Sequence, residues 1–83
     1  MADLRSLLSL AQKHTLAGER RIARQIAIIE SLEAHGHPTT LAKQLLDAMY
    51  VSFAYMVEDQ RHIERVVQLD ERHKNSNWKI STR

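Results

Sequence analysis

Apolar and small residues recur along this chain at alternating steps of four and three. Leu4, Leu8, Ala11, Thr15, Gly18, Ile22, Gln25, Ile29 and Leu32 form one such series, and Ala42, Leu46, Met49, Phe53, Met56, Gln60, Ile63 and Val67 form a second. This is the period of a coiled-coil seam, and it predicts two amphipathic helices of about 30 residues, each roughly 45 Å long. Between the two series lies "EAHGHPTTLAKQ", Glu33 to Gln44, which holds one of the two glycines and the single proline. Gly36 can take the left-handed conformation that ends a helix, and His37 is pushed to an extended conformation by Pro38. Thr39 or Thr40 then offers a side-chain oxygen to the free amides of a second helix, although no Glu or Gln follows at the spacing of a capping box. The segment reads as stop, turn and restart: a helix over 3–34, a turn over 35–39 and a helix over 40–73.

A hairpin pairs residues at equal distances from its turn, so facing positions should have numbers adding to about 75. The seams satisfy this: Ile29 meets Leu46, Ile22 meets Phe53, Gly18 meets Met56, Ala11 meets Ile63 and Leu8 meets Val67. The flanking positions agree independently, with Glu19 against Val57 and Arg21 against Ser52 as uninformative exceptions. Arg5 would face Glu71, Glu33 would face Lys43 and Ile26 would face Tyr50 on one side. On the other side Leu7 would face Val66, His14 would face Asp59 and Ile28 would face Leu45. The expected fold class is therefore all-α, an antiparallel, coiled-coil-like two-helix hairpin over residues 1–74. Thr15 opposite Gln60 is the polar step in the seam; such a pair either pins the register or sits at a wet edge. Gly18 opposite Met56 suggests a close backbone approach.

One seam would complete a hairpin, yet a second apolar stripe runs beside it. Leu41, Leu45, Ala48, Tyr55, Val66 and Leu69 carry it on the second helix, broken by Asp59 and His62, and Leu7, Leu10 and Ile28 continue it on the first. Exposed apolar faces of this extent mark interfaces. The expectation is self-association, most simply a homodimer forming a four-helix bundle. The alternative is a three-helix bundle, in which the first helix breaks near "HTLAG" and folds back over the stripe.

Composition sharpens this reading. A chain of 83 residues without cysteine has no disulfides, thiolate metal sites or thiol catalysis to draw on, and is short for a self-sufficient core. Its formal net charge of +2 is too small to argue for nucleic acid by itself. No apolar stretch approaches the roughly 20 residues that span a bilayer, and the N-terminus lacks the pattern of a secretory signal, so a soluble cytoplasmic protein is expected.

The remaining chemistry is thin. His14, Asp59 and His62, with Glu58, contain donor types that bind zinc or iron, but of the Glu-x-x-His pairs of di-metal bundles only Asp59 to His62 approximates one, and an edge ion pair explains the same residues. There is no glycine-rich phosphate loop and no nucleophile beside a base, so neither catalysis nor a cofactor is expected. Arg20, Arg21, Arg24, Arg61 and Arg65 are candidates for a Rop-like nucleic-acid-binding face, although Glu19, Glu58 and Glu64 are interspersed. Beyond residue 74 the heptad pattern fades in "HKNSNWKISTR", and residues 75–83 read as a flexible tail whose Trp78 is a candidate anchor for a protein partner.

The stretch "ERRIARQIAIIESLEAHGHPTTLAKQLLDAM" resembles a group of small uncharacterised bacterial helical-hairpin proteins. The features that carry the resemblance are Ile22 to Gln25, Leu32 with Glu33, Gly36 to Thr40, and Leu45 with Leu46. It covers the middle half of the chain, and "MYVSFAYMV" departs from it by being more apolar and aromatic. The resemblance implies a bacterial helical hairpin and supplies no activity.

Overall fold

The computed structural model describes residues 3–81, with side chains described for residues 3–74. It is a two-helix hairpin: α1 spans Leu4–Ala34 and α2 spans Thr40–Ser81. Asp3 caps α1, its carboxylate accepting the Ser6 N–H at 2.8 Å. That bond satisfies one of the donors that every helix start leaves free. α1 is continuous through His14–Gly18, so the three-helix alternative is not adopted. Gly18 costs about 1 kcal/mol of helix propensity relative to alanine, which is not enough to end a helix whose flanks are good formers.

The turn closes α1 with two reverse hydrogen bonds. His37 N–H donates to Leu32 O at 2.9 Å and Gly36 N–H donates to Glu33 O at 3.1 Å. This is the Schellman arrangement, which requires a left-handed residue after the cap, and Gly36 supplies it with φ of 71°. Pro38 prevents the helix from continuing, and α2 restarts with Thr39 O accepting the Lys43 N–H at 2.9 Å. Thr39, rather than Thr40, is thus the residue on which α2 is founded.

The seam lies where the spacing places it. Every residue of both seam series is buried or half-buried. Gly18, Ile22, Gln25 and Ile29 are the buried positions on α1, so the tightest packing is in the turn-proximal part of the hairpin. A Cβ added to Gly18 would stand 3.0 Å from Phe53 Cδ1 and 3.2 Å from Met56 Sδ, confirming the expected close approach at that height. Arg5 and Glu71 form the expected ion pair at the open end.

Of the two readings of the Thr15–Gln60 step the register pin is not adopted, and one helix boundary differs from expectation. Thr15 and Gln60 bond within their own helices: Thr15 Oγ1 donates to Ala11 O and Gln60 Nε2 donates to Glu64 Oε1, both at 3.0 Å. The polar tie between helices is instead Gln25, whose Nε2 donates to Ala42 O at 2.9 Å across the seam. α2 also runs past residue 73 to Ser81. No glycine or proline follows Pro38, and Asn and Ser each cost well under 1 kcal/mol in a helix, so nothing in the sequence stops it. Trp78 falls on this last stretch, and its side chain lies outside the described residues.

The molecule is a rod measuring 74 × 20 × 16 Å with a radius of gyration of 20.1 Å. A compact chain of this length would have a radius near 12 Å, by the usual scaling of roughly 2.2·N^0.38.

Candidate functional site

Two grooves run between the helices on opposite sides of the seam, and they differ in character. On one side Ile26, Glu30, Glu33, Lys43 and Asp47 frame a groove with charged edges. On the other, Leu7, Leu10 and His14 of α1 meet Asp59 of α2, and nearer the turn Arg21 meets Ser52. This second side is the side of the extra apolar stripe. The hairpin leaves it open: Leu41 is 79%, Tyr55 70%, Leu69 62% and Leu45 53% exposed. Leu7, Leu10, Ile28 and Ala48 are exposed as well, and only Val66 of the expected set is half-buried.

Against this exposed face stands a thin interior. Ile22 and Ile29 are the buried apolar side chains among the described residues, and none of the large side chains there is fully enclosed. The accessible surface is 6919 Å². A compact monomer of 9.6 kDa would expose roughly 5,100 Å² by the surface-to-mass relation. Part of the excess belongs to the end of α2 that overhangs α1, and part to the uncovered stripe.

The charged candidates are dispersed. Arg20, Arg21, Arg24, Arg61 and Arg65 are all exposed. Arg61 lies 3.6 Å from Glu58 in an ion pair one turn away, and Arg61 and Arg65 share a groove with Glu58 and Glu64. Arg21 belongs to the apolar side, apart from the α2 arginines. Among the described residues no three metal-ligating side chains gather closely enough to hold an ion, so His14, Asp59 and His62 do not form a cluster. In the turn, the His35 and His37 rings stack with centroids 6.4 Å apart, and His35 Nδ1 lies 2.7 Å from Ser31 O. This places the "HGH" histidines as helix-end elements. No described helix is long and apolar enough to cross a membrane.

The fold and this surface define an elongated all-α two-helix hairpin with one long apolar face uncovered. No family model matches the chain, and no curated protein or solved structure matches it. The chain is thus a small two-helix hairpin protein, as the resemblance implies, with no family or relative identified.

Proposed function

We propose that this chain is a small helical interaction module, without catalytic activity, that works as a self-associated bundle. In its simplest form two hairpins pack their second stripes together as a homodimer of four helices. The observation that carries this reading is the inversion of exposure along α2: Leu41, Leu45, Tyr55 and Leu69 are each more than half exposed, while Ile22 and Ile29 are the buried apolar side chains among the described residues. Burying a leucine fully is worth about 1.5–3 kcal/mol, so covering the stripe adds a stabilisation that the single seam lacks. A regulatory role would follow from the same surface, since a face that pairs with itself can also be taken by another helical protein.

The test is substitution of Leu45→Glu together with Leu69→Glu, read by solution mass. The double variant should fall to monomer mass, whereas Leu16→Glu with Val51→Glu, exposed apolar positions outside the stripe, should keep the parent mass. An unchanged mass in the first variant would contradict the proposal. The rival reading, a Rop-like nucleic-acid-binding face on Arg20, Arg21, Arg24, Arg61 and Arg65, has less support because the α2 arginines are interleaved with Glu58 and Glu64. Retention of nucleic acid that weakens steeply with salt would favour it instead.

A further inference from the structure

The uncovered face is close to a palindrome. Its outer row on α2 runs Leu41, Ala48, Tyr55, His62, Leu69, and its inner row runs Leu45, Ser52, Asp59, Val66. Both rows are apolar at their ends and polar on one or both sides of Tyr55. On α1 the inner row repeats this pattern, with Leu7 and Ile28 outside His14 and Arg21, centred beside Ala17, whereas the outer row sets Leu10 against Arg24. Gly18 meets Met56, so the centres of the two helices stand at one height along the rod.

Two copies joined face to face by a two-fold axis in the interface can run in the same direction or in opposite directions. The same direction places α1 on the partner's α2 and makes no demand for a palindrome, because each height meets itself. The opposite direction places each helix on its own counterpart and superposes every row on its reverse. Leu41 then covers the partner's Leu69, Leu45 covers the partner's Val66, and Leu7 covers the partner's Ile28. The observed pattern is the one that the opposite direction needs.

Charge separates the two arrangements further. Arg21 lies in the groove beside Ser52, and Asp59 lies in the groove beside His14. These heights differ by about 10 Å at the helical rise, and Tyr55 stands between them. Running in the same direction, the copies would bring both Arg21 guanidiniums to one height and both Asp59 carboxylates to another. Running oppositely, they bring Arg21 level with the partner's Asp59, so that repulsion becomes attraction. The long face of the 74 × 20 Å rod has room for more than the roughly 800 Å² that each partner gives to a standard interface.

We propose that the occupant of the uncovered face is a second copy of this chain running in the opposite direction, its turn lying over the open end. This rests on the self-association proposed above. The test uses His37→Cys, a turn residue off the stripe in a chain that has no other cysteine, labelled with a nitroxide. Pulsed dipolar spectroscopy then reads the distance between the two turns. About 55 Å is expected from the helical rise on either side of Tyr55. A distance under about 25 Å, the width of a bundle of helices spaced 8–10 Å apart, would overturn the orientation. Monomer mass with no dipolar coupling would overturn self-association itself. As a second readout, Arg21→Ala should weaken the dimer roughly fivefold through loss of the cross-copy pairs. A tighter dimer in that variant would show that like charges had met, and would also overturn the orientation.

Discussion

Gly18 and Phe53 touch across the seam without a side chain on one partner: a Cβ on Gly18 would lie 3.0 Å from the Phe53 ring. The glycine therefore sets how closely the helices approach at the middle of α1. Gly18→Ala gains about 1 kcal/mol of helix propensity, but overpacking a tight contact costs about 1–3 kcal/mol. Phe53 is a ring held in the seam, so the second effect should win. Chemical denaturation should show a net loss of about 1 kcal/mol for Gly18→Ala and a clearly larger loss for Gly18→Leu. A stabilised Gly18→Ala variant would mean that Phe53 and Met56 yield freely.

Gln25 is the buried polar side chain of the described seam, and its bond to Ala42 O crosses between helices inside the seam, as the exposed Arg5–Glu71 pair does at the open end. Gln25→Ala should cost about 1 kcal/mol in a denaturant titration, the usual worth of such a bond. Thr15→Val should cost less, because its hydroxyl serves only its own helix.

The Arg5–Glu71 pair closes the open end, yet its side chains are 77% and 46% exposed. Exposed pairs contribute between about 0 and 1 kcal/mol and are screened by salt. Charge reversal at Arg5 should therefore shift stability by less than about 1 kcal/mol at low salt, and the effect should vanish in high salt.

Asp3 titrates below its ordinary value of 3.8, chiefly because the Ser6 backbone N–H bonds its charged form, with the Ser6 side chain adding to this. A carboxylate whose folded pKa is depressed stabilises the helix start above its unfolded pKa, and that contribution is lost as pH falls through the folded value. The acid limb of the helical signal below pH 3.8 should flatten in Asp3→Asn, which keeps a capping oxygen without the titration. Asp3→Ala should lower the helical signal at neutral pH too.

Much of this fold is legible in the sequence because a hairpin over-determines itself. The seam series, the Gly36–Pro38 break and the Arg5–Glu71 pair all report one register, so each checks the others. The partner of Gln25 is not legible, since a side chain that leans along the groove toward the turn escapes any rule of equal heights. The end of α2 misleads for a different reason: loss of heptad spacing removes the reason to pack but not the reason to stay helical. The apolar stripe is visible in sequence and confirmed as exposed. That exposure is not legible in the sequence, since a three-helix bundle would make the same stripe its core.

The central claim is that the uncovered stripe is covered by self-association, and solution mass of the untagged chain by light scattering tests it most directly. Across a concentration series the mass should reach twice the 9.6 kDa of one chain and change little with salt, as an apolar interface requires. A mass that stays at that of a single chain at every concentration, with the helices intact, would contradict it.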